Sequence, residues 1–264
     1  MAKNIIIALL SLVLLFLLFT RSCNSRQSVE KGFSVERSAD ESDTKRDAAD
    51  TLGFATRPSG VLFTQETKFR LVPIYKLNYN RRKKGYYTGS TRFHSNYNMP
   101  NTKDINNWNG NYMPGFEAAY GYNMVNLSQF DTETKTERPF FDEPVLINTI
   151  YYPTLTSDTL NGQTITRDYY MISVYDEDTN GDGFINRKDL RRFYHFNRTT
   201  GEKTALIPTN SSVMSSEYDF ANDYMYIYAR QDENTNGTRD EAEPINLWWI
   251  DLKAPDNRGL VYDN

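Results

Sequence analysis

From residue 60 onward the chain alternates short apolar runs with polar turns, and within the runs apolar and polar positions follow a two-residue period. That is the pattern of half-buried strands. Residues 61–63 and 69–79 alternate in this way. A polar turn, Asn80-Arg-Arg-Lys-Lys-Gly85, follows, and Tyr86 and Tyr87 resume the strand. The order returns at 124–130, with a turn at 131–135 and a strand at 136–141. It returns again at 193–196, 197–201 and 203–207, and last at 247–250, 251–255 and 260–262. Each turn opens on Asn or Asp: Asn80, Asp131, Asn197 and Asp251, spaced by 51, 66 and 54 residues. Repeats of this size predict an all-β domain over 59–264, an array of about four small antiparallel sheet units. Residues 94–123 interrupt the pattern with Asn, Tyr, Gly and Trp. Such a segment caps a core edge or, through Trp108 and Tyr112, stacks on a sugar or docks a protein.

The strand before each of the last two turns is apolar-aromatic-aromatic-apolar and runs into Asx-x-x-x-(Gly). It resembles the outer hairpin of bacterial β-propeller repeats. The resemblance implies a propeller-like array, complete or incomplete, with an open β-sandwich as the alternative.

The chain ahead of this domain has a different composition. Lys3 precedes a run from residue 5 to 19 that is apolar but for Ser11. As a helix it spans about 22 Å, short of the roughly 30 Å of a bilayer core, which suits a signal h-region better than a full span. Cys23, the one cysteine of the chain, then stands where a segment resembling a bacterial lipoprotein signal carries its lipidated cysteine, although Thr20 and Arg21 depart from the small residues usual there. Lipidation at Cys23, an uncleaved N-terminal helix and simple secretion all place the remainder outside the cytoplasm. Residues 1–23 are thus expected to be a signal or membrane anchor. Residues 24–58, rich in Ser, Glu, Asp, Lys and Arg, are expected to be a flexible tether with too little apolar surface to order itself.

Two stretches carry candidate chemistry. In residues 178–189 oxygen-bearing side chains recur at alternate positions, Asp178, Asn180, Asp182 and Asn186, and the stretch ends on Asp189. Gly183 stands at position 6, and Phe184 at position 7 offers its backbone carbonyl. A hard cation needs this spacing, because short carboxylates and amides then converge around a sharp turn. The pattern repeats 54 residues on as Asp232, Asn234, Asn236, Gly237, Thr238, Asp240 and Glu243. Both stretches resemble EF-hand calcium loops, which implies two Ca²⁺ sites. Asp189 replaces the usual Glu at position 12, so weaker or less selective binding is expected there. Arg239 replaces the usual apolar residue at position 8 of the second loop. Strand-like segments, rather than helices, flank both loops, so each is expected to be the tip of a β-hairpin. In layout alone these tips resemble the calcium-loop blades of integrin-type propellers.

Composition narrows the rest. The 264 residues carry a net charge of −4, with no basic excess to suggest nucleic acid, and 19 Tyr and 15 Phe suit pleated, half-buried surfaces. With two histidines and one cysteine there is no ordinary zinc cage, and no nucleophile elbow or phosphate-binding loop is present. His195, between aromatic neighbours on a strand, is expected to be structural. The basic run 81–84 is by default a solvated turn, with an anionic glycan or lipid headgroup as the alternative contact. The expected function is an envelope-anchored, extracytoplasmic calcium-binding protein with a structural or adhesive role, facing an envelope protein or glycan. The alternative is a secreted, Ca²⁺-stabilised carbohydrate-active enzyme or carbohydrate-binding module, the enzyme needing two carboxylates across one cleft.

Overall fold

The computed structural model describes residues 32–34, 54–80, 82–93 and 113–262. All of these belong to one compact unit, Lys31–Asn264. Twenty strands and no helix occur among them. A six-stranded antiparallel sheet contains β6 (Arg92–Phe93), β7 (Phe116–Tyr120), β10 (Leu146–Pro153), β13 (Tyr169–Tyr175), β15 (Arg192–Asn197) and β16 (Lys203–Ala205). Its order is β16-β15-β13-β10-β7-β6. One four-stranded sheet runs β2 (Thr56–Pro58), β3 (Phe69–Lys76), β8 (Met124–Asp131) and β9 (Glu137–Pro139). A second runs β17 (Ser211–Asp219), β18 (Tyr224–Gln231), β19 (Ile245–Asp251) and β20 (Arg258–Tyr262). Three two-stranded pairs complete the set: β1 (Gly32–Ser34) with β14 (Phe184–Asn186), β4 (Asn78–Asn80) with β5 (Gly85–Tyr87), and β11 (Asp158–Leu160) with β12 (Gln163–Ile165). None of the sheets closes on itself.

The six-stranded sheet is the middle layer. Every residue of β13, Tyr-Tyr-Met-Ile-Ser-Val-Tyr, is buried. A strand covered on both faces has no solvent side, which is why this segment shows no alternation. Tyr170, Ile172 and Val174 point to one face and pack with Leu71 and Tyr75 of β3 and with Met124 and Leu127 of β8. Tyr169 and Met171 point to the other face and pack with Met225 and Ile227 of β18 and Ile250 of β19. On β3, by contrast, every second residue is buried, as the sequence pattern predicts.

All four predicted Asx turns form hairpins, and the first three share one geometry. Asn80, Asp131 and Asn197 each accept, on one side-chain oxygen, the N–H groups two and three residues ahead at 2.8–3.1 Å. Asp251 accepts Lys253 N–H at 2.9 Å. The residue four positions on takes a left-handed φ at Lys84, Lys135 and Gly201. A side chain that mimics a backbone turn can be recognised locally, so these turns were visible in the sequence. A fifth copy, opened by Asp219 and closed by Asp223 with φ 63°, joins β17 to β18.

The count of units differs from the expectation of about four. The strands of the first two repeats share a sheet, because β3 pairs with β8 along its length. Asx turns mark hairpins; they do not say where one sheet ends. The stretch expected to be tether also contributes structure. Gly32–Ser34 pairs with β14, Phe33 is buried beside Ile185, and Thr56–Pro58 edges the sheet of β3. The expected excursion at 94–123 contains β7, with Phe116, Ala118 and Ala119 buried in the central sheet. The hydrophobic run, Cys23, Trp108 and Tyr112 lie outside the described residues, and no helix among those described is long and apolar enough to cross a membrane.

A buried ion pair joins the central sheet to the second four-stranded sheet. Arg167 donates to both carboxylate oxygens of Asp223, at 3.0 and 2.7 Å, and also to the carbonyls of Leu252 and Pro114. Tyr218 donates its hydroxyl to the same carboxylate at 2.9 Å. Arg167→Met removes one partner and strands a buried carboxylate, which should lower the unfolding free energy by about 3–5 kcal/mol. Adding Asp223→Asn should recover part of that loss, as measured by urea denaturation. His195 supplies a pH test. Burial against Tyr169 holds its pKa below the ordinary 6.5. The folded state therefore favours neutral imidazole: stability is full above about pH 6.5 and falls as pH drops through the depressed folded value. His195→Gln should flatten that part of the profile of Tm against pH.

Candidate metal centre

Both candidate loops sit at hairpin tips, as the flanking strands predict. Residues 178–189 connect β13 to β15, which pair antiparallel, and residues 232–243 connect β18 to β19, which do the same. The segment 187–193 forms a turn leading into β15 and no helix.

The two loops have nearly the same internal wiring. The position-1 carboxylate grips the turn with both oxygens. Asp178 takes the N–H of Asp182 at 3.1 Å and of Gly183 at 2.8 Å, and Asp232 takes Asn236 and Gly237 at 3.1 and 2.9 Å. At position 3, Asn180 and Asn234 each accept the position-5 N–H at 2.9 Å. At position 5, Asp182 and Asn236 accept the position-7 N–H, from Phe184 at 3.0 Å and Thr238 at 2.8 Å. At position 12, Asp189 and Glu243 accept the position-9 N–H, from Asn186 and Asp240, at 2.7 and 3.2 Å. Positions 4 and 6 have left-handed φ in both: Gly181 and Gly183, Thr235 and Gly237. Asn186 accepts Lys188 N–H at 2.7 Å. Asp240 instead accepts from the Asn236 and Asn234 amides and the Thr238 hydroxyl, and those bonds hold its carboxyl below the usual range.

These bonds shape the loops without using up their oxygens, since a carboxylate offers about four lone-pair sites. Among the described residues, no three carboxylate, imidazole or thiol groups converge on one point. The donor set is mixed, with amides filling positions that further acids could occupy. Whether a hard cation suits it is decided at position 12, where the loops differ. In the second loop Oε1 of Glu243 is buried with no hydrogen-bond partner. A buried, unpaired carboxylate oxygen costs at least about 1–3 kcal/mol, and a cation would relieve that cost. In the first loop Asp189, only 1% exposed, spends one oxygen on Asn186 N–H and the other on Thr179 N–H. Burial and the nearby Asp178 raise its pKa. In the second loop the closing acid thus keeps one oxygen that a cation could take, whereas in the first it is a clamp on the backbone.

Spacing alone did not reveal that the loops touch. The Thr179 hydroxyl donates to the carbonyl of Gly237 at 2.5 Å and accepts Leu190 N–H at 2.9 Å. A Cβ on Gly237 would lie 1.8 Å from the Thr179 carbonyl oxygen. Position 2 of one loop therefore locks against position 6 of the other and ties two sheets together. Two cations were also missed. Lys188 lies 3.9 Å from Asp182, and Arg230 donates to the Asp240 carbonyl. No protein-family model matches the chain, and no curated protein matches it.

The glycines separate turn strain from loop contact. Gly183→Ala meets nothing within 4 Å and has only the left-handed φ of 82° to bear, about 1–2 kcal/mol. Gly237→Ala bears a similar φ and a backbone clash, so it should lose clearly more stability in chemical denaturation.

Proposed function

We propose that this is an exported, envelope-anchored calcium-binding protein with a structural or adhesive role. In this reading Ca²⁺ is bound through Asp178, Asn180, Asp182, Phe184 carbonyl, Asn186 and Asp189 in one loop. In the other it is bound through Asp232, Asn234, Asn236, Thr238 carbonyl, Asp240 and Glu243. The observation that carries the proposal is the orphaned Oε1 of Glu243 in a loop whose wiring is repeated 54 residues earlier. Because the loops abut, metal in them rigidifies the junction between the central and second four-stranded sheets. The three sheets are read as consecutive blades of an open, propeller-like array. Cys23 is the lipid attachment point, and the partner is an envelope protein or glycan rather than nucleic acid. The carbohydrate-active alternative has no comparable support, since no carboxylate lines the cavity between the sheets described below.

Thermal unfolding of the full-length protein in EDTA and in calcium tests this. With Ca²⁺ about tenfold above its dissociation constant, each filled loop should add about 1.4 kcal/mol. Asp178→Ala and Asp232→Ala should each remove one increment. Glu243→Gln should leave Tm in EDTA unchanged and reduce the calcium increment, whereas Asp189→Asn should lower Tm even in EDTA, because it disturbs the backbone clamp. Equal Tm values in EDTA and in up to ~10 mM Ca²⁺, well above the weakest ordinary extracellular sites, would sink the proposal.

A further inference from the structure

Between the central sheet and strands β17 and β18 lies a cavity of about 240 Å³. Backbone irregularities open it from both sides. Strand β10 has a bulge between Ile147 and Thr149, and β17 has one between Val213 and Ser215. The extra residues, Asn148 and Met214, both line the cavity. A bulge re-aims side chains and interrupts the ladder, so two of them meeting across a sheet interface leave space where side chains would otherwise interdigitate.

Two polar groups in its lining are open to a ligand, one a half-buried cation and the other a buried hydroxyl. Arg191 donates from Nε to the Val213 carbonyl at 2.8 Å and from Nη2 to the Met214 carbonyl at 2.7 Å. Those bonds fix the half-buried guanidinium against the bulge, and both of its acceptors are neutral carbonyls. The charged arginines within electrostatic reach, Arg187 and Arg239, share its sign. Across the cavity Ser173 is 6% exposed and its hydroxyl has no partner. An unpaired buried hydroxyl is costly, a half-buried cation without a counter-charge attracts an anion, and one anion that accepts hydrogen bonds serves both. The rest of the wall is mixed: Phe193, Met225 and Ile227 form an apolar side, and Thr149, Ser215 and Ser216 bring further hydroxyls.

We propose that this cavity binds a small organic carboxylate with a short apolar body. Its oxygens pair with the Arg191 guanidinium and accept the Ser173 hydroxyl, while its body lies against Phe193 and Ile227. The volume is below the roughly 300–1,000 Å³ of drug-sized pockets, which limits the ligand to roughly ten heavy atoms. This site does not depend on calcium.

The test is calorimetric titration of the full-length protein in EDTA with benzoate and butyrate, and with their neutral counterparts benzamide and butyramide. The carboxylates should bind, and the amides should bind at least about tenfold more weakly, because they lose a charge-assisted bond. Ser173→Val, which fills the space and removes the hydroxyl, should abolish binding while leaving Tm unchanged or raised. Arg191→Lys should weaken binding at least about tenfold; if that variant unfolds, Ser173→Val alone still decides. Equal binding of acids and amides, binding that chloride at matched ionic strength abolishes, or full binding by Ser173→Val would each overturn the proposal.

Discussion

The bidentate pair between Arg167 and Asp223 is the contact on which the second half of the molecule depends. Arg167 leads into β13, the strand buried on both faces, and Asp223 closes the Asx turn between β17 and β18. The guanidinium also holds the carbonyls of Pro114, just ahead of β7, and Leu252, just beyond β19. One cation thus joins the approaches to two strands of the central sheet and two turns of the outer one. Tyr218 and Tyr169 add hydroxyl bonds to Asp223 and Leu252. A desolvated pair is seldom stabilising against an apolar replacement, but it rejects every other docking of the two sheets, which would leave either charge unpaired. Apolar contact between Met171 and Ile227 supplies attraction without direction; the ion pair sets the register.

That division of labour explains which parts of the fold were legible in the sequence. The four Asx turns and both loops are local: their hydrogen bonds join residues two to eleven positions apart, so residue identity and spacing suffice. Strand partners are not local. Nothing in the composition of β3 distinguishes β8 from a neighbour in its own repeat, and the expected four units became three larger sheets because that pairing is decided by side chains such as Tyr75 and Leu127 meeting in one cluster. Gly32–Ser34 was hidden for the same reason. A single buried Phe33 amid a polar stretch carries no periodicity, and its partner strand lies inside the first loop.

The candidate centres divide likewise. Ligand positions were readable from spacing, while the different fates of their closing acids were not. Asp189 is drawn onto the backbone by Thr179, whose hydroxyl in turn reaches Gly237 of the other loop, so its environment is set by a residue 58 positions away. Glu243 has one methylene more and keeps an oxygen unspent. The cavity left no sequence signal at all. Bulges at Asn148 and Met214 break a ladder whose partners must already be known, and Arg191 reads as an ordinary loop-end cation until Val213 and Met214 are seen across from it.

Loop and cavity nevertheless share a backbone segment. Asp189 clamps the first loop, Leu190 donates to Thr179 at the contact between the loops, and Arg191 donates its N–H to the Ser212 hydroxyl while its side chain lines the cavity. Three successive residues therefore serve the proposed metal site, the Thr179 contact with the neighbouring loop and the proposed carboxylate site. A backbone so short and so fully hydrogen-bonded transmits displacement poorly but resists it well. Its consequence is stiffness: fixing Asp189 also fixes the origin of the Arg191 side chain, which two carbonyls already hold. With no helix among the described residues to brace the sheet edges, placing the closing acid of a loop two residues from the arginine that grips the β17 bulge keeps a cavity open where close packing would otherwise have filled it.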